Sequence, residues 1–303
     1  MGDVADGDDR GGRLTVLEHL EIPVGEAEGQ NLILDAVATG PADGAVVLLL
    51  HGFPQSSHEW RHQLPVLAEA GYRVVAPDQR GYSAQARPAA VDAYHVDHLV
   101  ADVLAIVDHV GGSPVHLVGH DWGAIVAWLV AGRHPDRLRS LTAVSVGHPL
   151  ALAQAIGNPR SDQAYRSAYV RLFQRPKLPE RLLMAGEGAG LRALFANTAF
   201  LDRTAMDVYV SLLLEPGALT GALNWYRALD VATLAGIGPI SVPTLYVWST
   251  DDPALGREAA EGTAAYMTGP YRFVALEGIS HWIPEDAPDE LNRLLLAHLA
   301  SAS

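Results

Sequence analysis

Along the chain, short runs of apolar and β-branched residues alternate with longer stretches whose apolar positions recur at helical spacing. Residues 14–20, 32–37 and 45–50 read as strands, followed by 74–77, 115–118 and 141–146. Between them, 60–70, 98–110 and 124–133 carry the helical pattern. Alternation of this kind predicts an α/β fold, a mostly parallel sheet flanked by helices. The pattern stops after Gly147-His148-Pro149. From there to about Gly236 the chain reads as helices and loops rich in Ala, Leu, Arg and Tyr, with no strand pattern. It resumes with a strand at 244–248, a helix from Arg257, a strand at 271–276 and a last helix from Pro288. Proline suits that start, because the first helical residue has no use for its N–H. An all-helical insertion in such a sheet is most simply a lid over the strand ends, where α/β sheets bind ligands. The expected division is a disordered tail at 1–13, a core at 14–147 and 237–303, and a helical lid at 148–236.

Bulk properties narrow the function. A length of 303 residues fits two domains or one large α/β domain with an insertion, and 49% hydrophobic residues supply an ample core. The net charge of −14 argues against nucleic acid and anionic membrane surfaces as partners, since phosphate binding needs a basic face. With no cysteine there is no disulfide, thiol nucleophile or thiolate metal ligand. The longest apolar run, 124–131, is far too short to span a membrane and fits a buried helix. The first ten residues are acidic and lack the apolar segment of a signal peptide, which points to a cytoplasmic protein.

The candidate chemistry centres on Gly119-His120-Asp121-Trp122-Gly123, directly after the apolar run Val115-His116-Leu117-Val118. Small residues at both ends of a sharp strand-to-helix turn are what a nucleophile elbow requires. A plainer reading makes Asp121 the N-cap of the following helix. As a nucleophile, a carboxylate suits displacement at saturated carbon, as in an epoxide or alkyl halide, and leaves an ester on the enzyme. Hydrolysis of that ester needs a general base and an oxyanion hole. His281, in Gly278-Ile279-Ser280-His281-Trp282, and the acidic pair Asp251-Asp252 follow in the chain order of an α/β-hydrolase triad.

With these motifs in place, the chain resembles the epoxide hydrolases of the α/β-hydrolase fold from about Leu14 to its last helix. His51-Gly52-Phe53-Pro54 matches that family's HGxP motif, and the run continues in family style through Gln55-Ser56-Ser57-His58-Glu59-Trp60. Asp78-Gln79-Arg80-Gly81-Tyr82 matches its DxRGY segment, read here as structural. The resemblance implies that the backbone N–H groups of Phe53 and Trp122 form the oxyanion hole. Within the lid, Tyr169-Val170-Arg171-Leu172-Phe173-Gln174 fits the Y-x-x-x-F-Q pattern and Asn224-Trp225-Tyr226-Arg227 its second tyrosine motif. The resemblance aims Tyr169 and Tyr226 at the epoxide oxygen, where a proton donor meets the basic alkoxide that ring opening creates. Taken singly, each tyrosine reads equally as lid packing with a satisfied hydroxyl. The family's triad acid directly precedes a Pro-Ala-Leu segment, which selects Asp252 and leaves Asp251 as a loop residue; the exchanged assignment stays open. Gly147 stands where close relatives carry proline, which predicts a looser hinge into the lid.

Other histidines carry less. His58 and His62 share i, i+4 spacing on the predicted helix, a metal-binding spacing, but no third ligand accompanies them. His51 and His120 flank the oxyanion region and read as supporting hydrogen-bond partners. No metal or cofactor is expected. The expected partner is a small apolar epoxide, the expected assembly a monomer or homodimer. A haloalkane dehalogenase shares the aspartate elbow and binds halide with the tryptophan at Trp122, but many carry asparagine at the position of Phe53 and lack the lid tyrosines. Fluoroacetate dehalogenases usually show arginine in place of Trp122. A catalytically silent binding protein would typically have lost a triad residue, and none is lost here.

Overall fold

A computed structural model of the chain describes residues 16–196, 198, 201–230, 234 and 236–302. The expected tail at 1–13 and the start of the first expected strand lie outside the described residues. Eight strands form one sheet: β1 (Glu18–Ala27), β2 (Gln30–Thr39), β3 (Val46–Leu50), β4 (Arg73–Pro77), β5 (Val115–His120), β6 (Leu138–Val144), β7 (Thr244–Ser249) and β8 (Tyr271–Leu276). Their order is β1-β2-β4-β3-β5-β6-β7-β8. β1 and β2 pair antiparallel with their neighbours, and the rest run parallel. The central strands are apolar throughout because both faces are covered. Leu48, Leu50 and Leu117 pack with α2 (Val96–His109) and α3 (Trp122–Arg133). Val47, Leu49 and Val118 face the other way, onto α1 (Leu64–Glu69) and the closing helix Pro288–Ser301.

Two elements depart from the sequence expectation. Of the strand expected at 14–20, the described residues 18–20 open β1, which runs on to Ala27. It is an edge strand with period-2 burial, Ile22 and Val24 inward, while Glu21, Pro23 and Gly25 interrupt the apolar run that a pattern reading follows. The helix expected at 60–70 is a 3-10 turn, Ser57–His62, followed by α1. Pro65 has no N–H to give and its ring crowds the carbonyl four residues back, so one α-helix cannot run through. His58 and His62 therefore do not stack on one α-helical face, since at three residues per turn they point about 120° apart.

Between β6 and β7 the described elements are helical: α4 (Pro149–Gly157), α5 (Gln163–Arg166), α6 (Tyr169–Phe173), α7 (Leu178–Leu194), α8 (Arg203–Leu214) and α9 (Ala218–Arg227). α7 is kinked where Ala185–Gly188 leave helical geometry. The DxRGY segment anchors this layer. Arg80 forms a buried bidentate pair with Asp102, and its carbonyl accepts from the Trp225 indole on α9 at 2.9 Å. The entry into α4 is tight, contrary to the looser hinge expected from Gly147. A Cβ there would stand 2.3 Å from the Thr263 hydroxyl, which itself accepts from the His148 N–H at 3.0 Å. Among the described residues no helix is long and apolar enough to cross a membrane.

Candidate active site

β5 ends at His120 and α3 begins at Trp122, so Asp121 alone makes the turn. It does so with φ 50° and ψ −118°, a backbone state that costs a non-glycine residue roughly 1–3 kcal/mol. The flanking glycines make the turn possible. A Cβ on Gly119 would fall 2.3 Å from the Gly123 carbonyl oxygen, and one on Gly123 would fall 2.2 Å from that of Leu50. The Asp121 side chain makes no cap bond to α3, which removes the N-cap reading. Its carboxylate turns to the opposite side.

There, Asp121 Oδ1 accepts from the Phe53 N–H at 2.9 Å, and Oδ2 lies 3.4 Å from His281 Nε2. The other imidazole nitrogen, His281 Nδ1, is 2.7 Å from Asp252 Oδ2. Asp252 is buried, and its second oxygen accepts from the Ala254 and Leu255 N–H groups at 2.7 and 2.9 Å. Asp251 is exposed, and its carboxylate accepts from the neighbouring Thr250 hydroxyl. Of the acidic pair, Asp252 is thus the one that meets the imidazole. Trp122, as the first residue of α3, has an N–H without an intrahelical acceptor.

The charges support one another. Burial opposes the Asp121 carboxylate, but hydrogen bonding and attraction to His281 outweigh it and hold its pKa below the usual value. Burial likewise opposes the His281 imidazolium, yet Asp252 and Asp121 overcome it and raise its pKa to about 10. Asp121, His281 and Asp252 thus form one triplet, in which the shifts favour an anionic Asp121 beside a protonated His281.

Tyr169, from α6, and Tyr226, from α9, sit across from Asp121 with ring centroids 6.3 Å apart. The Tyr226 ring also meets the Trp122 indole edge-on, with centroids 5.1 Å apart. Tyr169 lines open cavity and keeps 37% of its surface accessible, yet burial of its hydroxyl, then the nearby Asp121 charge, drives its pKa up. Burial first, then Tyr169 and Asp121, does the same for Tyr226. Both phenols therefore remain protonated donors. Gln174 Nε2 ties α6 to the Tyr226 carbonyl at 3.1 Å, which accounts for the glutamine of the first lid motif.

Two cavities meet at these residues. One, of about 330 Å³, is walled by Phe173, Leu183, Leu194 and Trp282; the other, of about 350 Å³, by Ile125, Val146, Leu152 and Leu229. Asp121, Tyr169, Tyr226 and Ala254 border both. The arrangement suits a reacting centre between a carboxylate below and two O–H groups above, with apolar space on either side.

The supporting histidines have definite partners. His51 Nε2 accepts from the Gln79 N–H at 3.1 Å, and its Nδ1 lies 3.0 Å from the Gly52 carbonyl, clipping the DxRGY segment to the oxyanion loop. His120 Nε2 is 3.0 Å from the His281 carbonyl, which also accepts from Ser145 Oγ at 2.7 Å. Sequence reasoning missed Glu59. It is fully buried, accepts from the Gly52 N–H at 3.1 Å and lies 3.1 Å from His120 Nδ1. It also missed Glu285, buried against Arg61, Tyr209 and Gln55. The available signal was an acid beside large apolar residues, Glu59 before Trp60 and Glu285 after Ile283-Pro284.

Comparison with known proteins agrees with this geometry. A family model described as alpha/beta hydrolase fold matches residues 45–288. The chain is 36% identical to epoxide hydrolase A of Mycobacterium tuberculosis, over 88% of this chain and 94% of that one. Its structure superposes on crystalline epoxide hydrolase A from Mycobacterium thermoresistibile with a TM-score of 0.81, at 30% identity and 94% and 98% coverage. On the Bacillus megaterium epoxide hydrolase solved with an inhibitor the TM-score is 0.83, at 26% identity and 93% and 100% coverage. With these relatives, the chain belongs to the α/β-hydrolase family, in the group of the epoxide hydrolases.

Proposed function

We propose that the protein is an epoxide hydrolase that adds water to an epoxide to give a vicinal diol, through an ester on Asp121. The observation that carries this reading is the convergence of Asp121, Tyr169 and Tyr226 on the junction of two apolar cavities, with His281 3.4 Å from Asp121. In the first step Asp121 Oδ attacks a ring carbon, the carbon–oxygen bond breaks, and a Tyr169 or Tyr226 hydroxyl donates its proton to the departing oxygen. The tyrosinate left by ring opening regains its proton from the His281 imidazolium, and in the second step the neutral imidazole takes a proton from water as the water oxygen attacks the ester carbonyl carbon. The Phe53 and Trp122 N–H groups hold the resulting oxyanion, whose collapse frees the diol and restores the carboxylate. Asp252 fixes the imidazole and favours its charged form.

The triplet explains the order of events. While Asp121 is anionic, His281 is held protonated and cannot act as a base. Esterification removes the Asp121 charge, one of the causes that raise the His281 pKa, so the base is released only once there is an ester to hydrolyse. In this reading residues 148–236 are the lid on a core of 14–147 and 237–303. An epoxide with apolar groups on both ring carbons fills both cavities. A haloalkane reading is weaker, because a halide leaves without needing a proton donor, whereas Tyr169 and Tyr226 both border the cavities beside Asp121.

The test is mass spectrometry of the His281→Gln variant mixed with trans-stilbene oxide. The expected result is a stoichiometric adduct on Asp121, while the wild type yields free diol. An unmodified variant, or an adduct on another residue, overturns the two-step reading.

A further inference from the structure

The short helix α5, at the entry to the insertion, is fastened to the loop that carries Asp252. Gln163 is fully buried, and its amide serves that loop with both ends. Nε2 donates to the Ala254 carbonyl at 2.7 Å and Oε1 accepts from the Gly256 N–H at 2.7 Å. Arg166 adds Nη1 to the Asp252 carbonyl at 2.6 Å, with its Nε paired to Asp162 at 2.8 Å. The same loop turns the other way to serve catalysis. Its Ala254 and Leu255 N–H groups grip Asp252 Oδ1, which leaves Oδ2 for His281. Carbonyls held by α5 and N–H groups holding the carboxylate belong to one stretch of backbone. The fit is close, since a Cβ on Gly256 would stand 3.0 Å from Asp162 Oδ1 and 3.3 Å from Gln163 Oε1.

We infer that Gln163, with Arg166, is a positioning residue for ester hydrolysis, latching the helical insertion to the Asp252 loop so that Asp252 stays aligned on His281. The inference rests on the proposed reading of Asp252 and His281 as the machinery of the second step. The latch does not touch Asp121, Tyr169 or Tyr226, so it bears on one half of the reaction. Leaving buried donors and acceptors of the loop unpaired is costly enough to let the loop shift toward other partners. A small shift there acts directly on the 2.7 Å contact between Asp252 and His281.

The experiment is rapid-quench single turnover of trans-stilbene oxide, counting ester and diol, with wild type, Gln163→Leu and Gly256→Ala. For Gln163→Leu we expect alkylation within about twofold of wild type and ester hydrolysis slowed about tenfold, the kinetic equivalent of one misaligned hydrogen bond. Gly256 has an ordinary φ of −84°, so alanine folds there and disturbs the latch only through its methyl group; the same selective loss, smaller, is expected. A second readout excludes a merely structural role. Asp252, Asp121 and His120 face His281. Once Asp121 is esterified, Asp252 is the carboxylate that favours the imidazolium. Loosening it moves the pH at which ester hydrolysis rises to lower values, whereas simple destabilisation scales the rate without moving the profile. Unmoved profiles, or alkylation and hydrolysis falling together, overturn the latch. Absence of ester and diol in the wild type overturns the functional reading, and the inference with it.

Discussion

The two walls of the site are built in opposite ways. Below, Asp121 is set by a turn whose flanking glycines leave no room for a single Cβ, at the end of a strand buried on both faces. Above, Tyr169 rides a five-residue helix beside the kinked α7, where Leu172 and Leu182 are 36% and 52% exposed. The lower wall carries charges whose roles depend on distances of a few tenths of an ångström. The upper wall supplies O–H groups, which rotate to meet an acceptor and tolerate a looser frame. On the proposed mechanism the core supplies the nucleophile and the ester-hydrolysis machinery and the insertion supplies the proton donors for ring opening, with α5 as the seam between them.

The largest effect that tests this division is expected at Asp252. Asp252→Ala should slow ester hydrolysis by about 10⁴-fold, the scale seen when an imidazole loses its orienting acid, while alkylation persists. Asp251→Ala, which touches neither wall, should change turnover by no more than a few-fold. Equal losses would exchange the two roles; pre-steady-state measurement of ester and diol decides.

From the other wall, replacing Tyr169 and Tyr226 by phenylalanine together should cut alkylation by about 10²–10⁴-fold, the worth of general-acid assistance, with the surviving ester hydrolysed at its normal rate. Single variants should lose less, because one donor remains. Alkylation at wild-type speed in the double variant would reduce these tyrosines to packing, and rapid halide release from a haloalkane would then favour the dehalogenase reading.

The smallest expected effect is the pH dependence, which sharpens the same boundary. Asp121 is held ionised below the usual carboxylate range, so alkylation should stay level from about pH 5 to about pH 9. Ester hydrolysis requires neutral His281. Its pKa of about 10 belongs to the resting triplet and falls when Asp121 is esterified, so hydrolysis should rise with pH across that window and level off below 10. Stopped-flow traces of the two phases check it. Parallel profiles would mean that esterification does not release the base.

Much of this was legible beforehand where the physical demand is local. An aspartate between two glycines after an apolar run states a steric requirement within five residues, and the structure places Asp121 in that turn. The alternation of strand and helix patterns gave the sheet, and the loss of strand pattern after Pro149 gave the helical insertion. Reading failed where a local pattern was interrupted: Pro23 and Gly25 hid the far half of β1, and Pro65 divided a helix that the spacing had joined.

The sequence by itself determined the identity of the reacting groups and the order in which the chain delivers them, because side-chain chemistry and turn sterics travel with the residue. Only the tertiary structure decided which acid meets His281, that Glu59 backs the oxyanion loop, and that Gln163 grips a loop some ninety positions away. Those contacts carry no local signature. A buried amide, a solvated one and a helix-surface one are the same letter until folding removes water from one of them and leaves it a single set of partners.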